Sequence, residues 1–367
     1  MPLILIIQRI GLNIYSSHKF NYPFKLSSRK QSIMIRKIEI NGFKNLSDFE
    51  MSPRLLTIIT GQNSTGKSSV LQSVFMMQRP AEASPYYLDY INQAFVSVRN
   101  RYQNSKNISI KFTTDKGECR VRWNEEVKSV FNHTDMPEIE RDLFYLSANR
   151  IGAENVAANN PPGMISGAKG EALFSTLERE KSISVSEELV IYPDSITLSA
   201  QVNYWISEII GIPMEIEVER RATQDVEVRY KSDGISGILP TQLGAGVSFL
   251  AKIVILCLRS KKGDVIMIEN PEIHLYPLAQ ARLARFLAFI AASGRQLIIE
   301  THSNDMITKF RHAVYKKVIS NNDVIFAYKG APADRFLFME PDVNGHMNID
   351  FPDSFFDSTL KELMEMD

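Results

Sequence analysis

The sequence predicts an α/β fold with a split core, one part near the start of the chain and the other about 200 residues later, with two lobes inserted between them. Three observations carry this expectation. A buried apolar strand at residues 55–59 runs into a glycine-rich loop and then into a helical pattern. From Gln242 onward, helix and strand patterns alternate as they do in a parallel sheet covered by helices. The segments between these halves carry period-two strands and amphipathic helices that belong to neither.

Composition sets the limits. The 367 residues include 42 basic and 42 acidic side chains, so the formal net charge is zero, with 44% hydrophobic and 10% aromatic residues. That balance excludes a strongly basic nucleic-acid coat and an acidic disordered scaffold. Two cysteines, Cys119 and Cys257, with no CxxC pair, provide no disulfide framework and read as a reduced, cytoplasmic chain. Residues 1–33 open on the apolar run Leu3 to Ile7, far short of the ~20 residues that span a bilayer. No small-residue cleavage site follows it. This stretch reads as a disordered extension, with Met34 as the natural start, and no other segment reaches membrane length.

Residues 34–80 form the first part of the core. Ile38 and Ile40 share one face of a strand that ends at Gly42. Leu55 to Ile59 is a second, buried strand that leads into Gly61-Gln62-Asn63-Ser64-Thr65-Gly66-Lys67-Ser68. Val70, Leu71, Val74, Phe75 and Met77 keep helical spacing until Pro80. Residues 81–147 read as a β-rich antiparallel lobe, in which Ile108, Ile110 and Phe112 alternate, as do Cys119, Val121 and Trp123. Phe144-Tyr145-Leu146 returns the chain to the main sheet. Residues 148–240 form a helical lobe: a Gly, Pro, Asn and Ala-rich functional loop at 152–170, helices at 170–180 and 197–210, and strands at 213–220 and 225–231. The second part of the core, residues 241–330, holds a helix at 246–259, a strand Val265 to Ile268, a helix at 277–292 and a strand Gln296 to Ile299. A tail at 331–367 closes the chain.

Four elements carry chemistry. The GxxxxGK[ST] pattern at 61–68 uses glycines so that backbone N–H groups wrap phosphates, with Asn63, Ser64, Thr65 and Ser69 in the same loop and helix start. Lys67 reaches the β- and γ-phosphates and Ser68 offers its hydroxyl to Mg²⁺. The strand 264–268 ends in Glu269, the carboxylate that holds the water shell of Mg²⁺, followed by Asn270-Pro271-Glu272. Glu300-Thr301-His302-Ser303 ends the next strand, either as a γ-phosphate sensor through His302 or as a helix-capping turn. Gly244-Ala245-Gly246-Val247-Ser248 opens a helix as a second anion site or as a plain N-cap turn. His274 with His302 is a weak metal pair. The basic clusters Arg99-Arg101-Lys106, Arg259-Lys261-Lys262 and Arg311-Lys316-Lys317 are solvated faces or nucleic-acid patches.

Taken together, the glycine loop, the late glycine-serine turn, ENPEIHLYP, IIETHSND, the GAKGE loop at 167–171 and SFFD at 354–357 resemble the ABC/SMC-type P-loop ATPase heads, near the RecF-like and OLD-like branch. The likeness covers about 35–330, and its narrower form is a bacterial ATPase family found in defence operons, with a short C-terminal domain. It implies a P-loop NTPase of ABC/SMC-head type that hydrolyses ATP with Mg²⁺. It also implies a head-to-tail homodimer in which Gly244, Gly246 and Ser248 act on the partner's nucleotide, with His302 as the switch. Gln78 is a candidate loop glutamine near Mg²⁺, and Arg150 a second sensor. Asn270 departs from the pattern, because related ATPases carry a catalytic glutamate there and an amide accepts no proton. Either Glu272 takes the base role or turnover is slow. Phe249 and Tyr276 are smaller departures.

The resemblance implies an ATP-gated sensor that controls a separate effector, a nuclease or toxin, in antiphage or mobile-element defence. Alternatives are a RecF-like DNA clamp and, less favoured, a transporter subunit. About 64 residues follow the Thr301-His302-Ser303 turn, too few for an appended TOPRIM nuclease.

Overall fold

The structure is a computed structural model that describes residues 33–78, 85–160, 164–223, 225–349 and 351. The expectations for residues 1–32, for the stop at Pro80 and for SFFD at 354–357 lie outside these residues.

The described chain opens with β1 (Ile35–Asn41), where Ile35, Ile38 and Ile40 are buried, followed by β2 (Phe49–Met51) and the fully buried β3 (Leu56–Gly61). After the glycine loop, α1 (Lys67–Gln72) lasts six residues and tightens into a 3₁₀ segment, Ser73–Met77, whose five side chains are all buried. Short helices α2 (Leu88–Ile91) and α3 (Phe95–Val98) precede β4 (Asn107–Thr114), β5 (Glu118–Asn124) and β6 (Lys128–Phe131). Next comes β7 (Leu143–Leu146), then β8 (Val156–Ala157), α4 (Leu173–Glu180) and α5 (Leu198–Ile210). Strands β9 (Met214–Arg220), β10 (Val226–Ser232) and β11 (Ile235–Ile238) precede α6 (Ala245–Arg259). The remainder is β12 (Val265–Glu269), α7 (Pro277–Ala292), β13 (Gln296–Glu300), α8 (Asn304–Tyr315), β14 (Val324–Lys329) and β15 (Leu337–Met339).

Three sheets result. The central one runs β15-β14-β3-β13-β12-β7, parallel except for β15, which returns antiparallel to β14. An antiparallel sheet runs β2-β1-β4-β5-β6. A small antiparallel sheet holds β11, β10 and β8, with β9 on β10. Strands β1 and β2 therefore share a sheet with β4 to β6.

Alternation along the central strands explains the layering. Leu56, Ile58, Ile266, Ile268, Leu297 and Ile299 point into one apolar cluster with α4 to α8. Ile59, Val265, Met267 and Ile298 point into another, shared with the antiparallel sheet and the 3₁₀ segment after α1. Helix α6 lies deep inside the first cluster, with Leu250, Ile253, Val254 and Leu256 fully buried at about 1.5–3 kcal/mol each. One buried side chain ties the two large sheets together. Gln296, at the start of β13, accepts from the Ile35 N–H at 2.9 Å and donates to the Ile35 carbonyl at 2.8 Å, as a neighbouring strand would. Among the described residues no helix is long and apolar enough to cross a membrane.

Candidate functional site

The C-terminal ends of β3, β13 and β12 converge on one site. Between β3 and α1 the loop leaves Gln62, Asn63 and Ser64 exposed, while Thr65, Lys67 and Ser69 are buried. Gly61 lies at φ +129°, and a Cβ there would sit 2.0 Å from the Lys329 carbonyl, so only glycine lets the loop pass β14. The loop is held from several sides. The Gln62 N–H donates to the Lys329 carbonyl (3.1 Å), Asn45 donates to the Ser64 carbonyl (2.7 Å) and the Thr65 hydroxyl donates to the Gln62 carbonyl (2.9 Å). Gly66 is the N-cap of α1. The Lys67 ammonium folds back across the loop onto the Gln62 carbonyl at 2.5 Å. Burial lowers its pKa, and the nearby Glu300 charge partly opposes this.

Strands β12 and β13 pair in register, so Glu269 and Glu300 stand side by side. Glu269 accepts three hydrogen bonds: Tyr145 Oη donates at 2.6 Å, Gln72 Nε2 at 3.0 Å and the Ala148 N–H at 3.0 Å. Glu300 is 4% exposed and accepts only the Ser68 hydroxyl, at 3.0 Å on Oε1; its Oε2 is buried with no partner. Burial, and next the Glu269 charge, push the Glu300 carboxyl up to about 7. Ser68 Oγ and the carboxylates of Glu269 and Glu300 are hard oxygen donors, and the unpaired buried oxygen among them fits a small divalent cation.

Beyond β12 the chain bends sharply. Asn270 lies at φ +42°, in the left-handed region that asparagine tolerates better than glutamate, and its N–H donates to the Glu300 carbonyl at 2.7 Å. Glu272 Oε1 accepts the His302 N–H at 2.7 Å, which fixes this carboxylate beside the Thr301-His302-Ser303 turn; burial raises its pKa. His302 itself is exposed. Its pKa is lowered by partial burial and by the Lys67 charge, while the Gly61 backbone acts in the opposite direction. Ser303 also caps α8, its hydroxyl accepting from the Met306 N–H, so the turn is both a helix cap and part of the site.

Arg150 is 4% exposed and spends its guanidinium on main-chain carbonyls of Ser147 (2.8 Å), Glu269 (2.7 Å) and Asn270 (2.8 Å). It shapes the bend, and burial lowers its pKa to about 10. Phe249 lies under both its guanidinium and the His274 ring, at 5.7 and 5.2 Å.

At the start of α6, Gly244 is open to solvent and Gly246 presses on the His274 carbonyl, where a Cβ would approach to 2.4 Å. Ser248, one turn further in, is 1% exposed and lies beside the Tyr230 hydroxyl in the interior. Ser248 is expected to act on a partner's nucleotide; within this protomer its side chain faces the interior. Helix phase turns it inward, and the surface groups of this turn are the backbone at Gly244 and Ala245. Gln78 likewise lines a separate cleft with Ile91, Asn92 and Trp123. The glutamine in contact with the acidic strand end is Gln72, one helical turn after Ser68.

The loop at 164–171 belongs to the support of this site. Its Ala168 and Lys169 carbonyls accept the Ser147 and Ile151 N–H groups at 2.8 and 2.9 Å. Glu140 accepts from Ile165 N, Ser166 N, Ser166 Oγ, Gly167 N and Tyr87 Oη. On the other side of the glycine loop, a cavity of about 800 Å³ is lined by Asn45, Phe49, Tyr102, Lys329, Phe336 and Phe338. Asn45 and Lys329 are the residues that brace the loop, so the cavity adjoins it. Within the basic clusters, Arg259 pairs with Glu180 at 3.2 Å, Arg311 donates to the Gly345 carbonyl, and Arg99 and Lys106 line a cleft that also carries Glu125 and Glu126.

Gln72, Asn45, Lys329 and the pairing of Glu300 with Glu269 escape sequence reasoning. The i to i+4 spacing from Ser68 could have identified Gln72, but the others depend on strand pairing.

The AAA ATPase domain family matches the sequence over residues 34–143 and 178–307. Among solved structures, the Smc head domain with an extended coiled coil, bound to the C-terminal domain of ScpA and derived from Pyrococcus furiosus, is similar in fold at 12% identity. That likeness covers 91% of this chain and 99% of that one, with a TM-score of 0.52. The SMC head domain from Thermotoga maritima matches at 13% identity, over 83% of this chain and 98% of that one, with a TM-score of 0.44. No curated protein matches.

Proposed function

This chain belongs to the AAA ATPase domain family, with the fold of an SMC head, and from that premise we propose that it binds ATP with Mg²⁺, hydrolyses it and uses the cycle to open and close a homodimer. The observation that carries the proposal is the convergence of Lys67, Ser68, Glu269, Glu272, Glu300 and His302 at the ends of adjacent parallel strands, beside an open glycine loop.

The roles follow from the geometry. The exposed backbone of Gln62 to Ser64 cradles phosphate oxygens, and Lys67 exchanges its contact with the Gln62 carbonyl for the β- and γ-phosphates. Ser68 and Glu300, with Glu269 beside them, would hold Mg²⁺, which would supply positive charge against that of the phosphates. Glu272, oriented by the His302 N–H, takes the proton of the attacking water, and Asn270 holds that water without accepting its proton. The nucleobase lies toward the Phe336 cavity. In the head-to-tail dimer, backbone N–H groups at the start of α6 meet the partner's γ-phosphate. The wider role, control of a separate nuclease or toxin effector in antiphage or mobile-element defence, rests on sequence resemblance.

The test is Lys67→Ala. Loss of the charge-assisted contact, about 1.5–3 kcal/mol, weakens ATP roughly 10- to 100-fold in calorimetry and abolishes ATP-dependent dimerisation in sedimentation. Unchanged ATP affinity refutes the assignment.

A further inference from the structure

The strand-end carboxylates are not equivalent. Glu269 already receives three hydrogen bonds, from Tyr145, Gln72 and Ala148, which hold it as a rigid support. Glu300 receives one, and that one comes from Ser68, the hydroxyl that the GK[ST] pattern assigns to the cation. Its second oxygen is buried and unpartnered, in a side chain only 4% exposed. An unsatisfied buried carboxylate oxygen is costly, and no protein donor relieves it, because the Lys67 ammonium is bonded to the Gln62 carbonyl. Arg150 offers no relief either: its two terminal nitrogens bond main-chain carbonyls, and its Nε, which has no partner, makes no bond to Glu300.

We infer that Glu300 is a direct carboxylate ligand of the divalent cation, alongside Ser68, and that Glu269 is chiefly the group that positions the site around it. A cation seated on Ser68 Oγ lies next to the carboxylate that this oxygen now touches. Inner-sphere coordination then removes the unpartnered oxygen and screens Glu300 from Glu269 across the strand pair. The inference rests on the reading of this site as an ATP site.

The test uses the full chain with Mn²⁺ and a non-hydrolysable ATP analogue, with free Mn²⁺ followed by electron paramagnetic resonance and analogue affinity measured separately in EDTA. Glu300→Gln keeps an acceptor for Ser68 and removes a negative charge from beside the phosphates, so it is expected to bind the analogue in EDTA at least as tightly as wild type while losing about 10- to 100-fold in Mn²⁺ affinity in the ternary complex. Glu300→Asp, which keeps the charge but withdraws it by one methylene, serves if the glutamine variant folds poorly; it is expected to lose Mn²⁺ affinity and to change the bound Mn²⁺ spectrum. Glu269→Gln is expected to lose less than Glu300→Gln. Wild-type Mn²⁺ affinity and spectrum in the Glu300 variants would overturn the inference while leaving the ATP reading standing. Failure of the wild-type chain to bind the analogue would overturn both.

Discussion

Glu140 lies outside the nucleotide site, yet the structure makes it the anchor of the 164–171 loop. Its Oε2 accepts the N–H groups of Ile165 and Ser166 at 2.8 and 2.9 Å, and its Oε1 accepts Gly167 N, Ser166 Oγ and Tyr87 Oη at 2.7, 3.1 and 2.6 Å. Glu140→Gln is nearly isosteric but turns an NH₂ group toward one of these two donor sets. In the milder orientation the NH₂ group faces Gly167 N, Ser166 Oγ and Tyr87 Oη, whose hydroxyls can turn to accept from it, so one buried backbone N–H loses its acceptor, at about 1–3 kcal/mol, and the remaining bonds lose their charge assistance. A destabilisation of about 2 kcal/mol is expected, read as a lower urea midpoint from the fluorescence of buried Trp205. ATP affinity should fall as well, because the same loop holds residues 147–151, whose Ala148 N–H and Arg150 grip Glu269. Tyr87→Phe, which removes one donor, should cost about 1–2 kcal/mol. A loss below about 1 kcal/mol for Glu140→Gln would show that the loop is not anchored through this carboxylate.

Two further outcomes are expected. Glu272→Gln keeps an acceptor for the His302 N–H but no proton acceptor, so ATP turnover should fall about 100-fold or more and a nucleotide-loaded dimer should accumulate; turnover at the wild-type rate would exclude Glu272 as the base. Buried Asp264 has its pKa raised to about 6 from an ordinary 3.8, first by burial, so between these values the folded chain keeps a proton that the unfolded chain has lost. Stability contributed at this site therefore falls as pH rises from about 4 to about 6 and stays low above that, by up to about 3 kcal/mol. Asp264→Asn retains an acceptor for the Lys261 N–H and should raise the melting temperature at pH 8 but not at pH 4; identical pH profiles for the two proteins would refute the assignment.

What could be read from sequence followed local periodicity. Strands β3, β12 and β13 are short buried runs with sharp punctuation, and α5 and α7 keep an apolar face over at least three turns, so their limits fall within a residue or two of expectation. The expected helix through Met77 ends at Gln72, because the packed 3₁₀ segment fills the space beneath the antiparallel sheet. Pairing left no local trace. Nothing in Ile38 or Ile40 announces that β1 joins β4, nor does the Val324–Lys329 run reveal that it flanks β3. As a partner of Glu269, Glu300 escapes for the same reason. The Thr301-His302 turn beside it stands out in the sequence, whereas its relation to Glu269 exists only in the register of two strands.

The position of β3 also bears on synthesis. Leu56 faces Leu297 on one side and Val324 on the other, so the strand that delivers the glycine loop has both its neighbours near the end of the described chain. At ribosomal speeds of ~5–20 residues per second, β3 waits roughly 10–50 s between emerging and finding either edge, apolar on both faces and unpaired throughout. A chain built this way forms no nucleotide site on the ribosome until β13 and β14 have emerged, and in that interval the segment its chemistry needs most is open to wrong pairing.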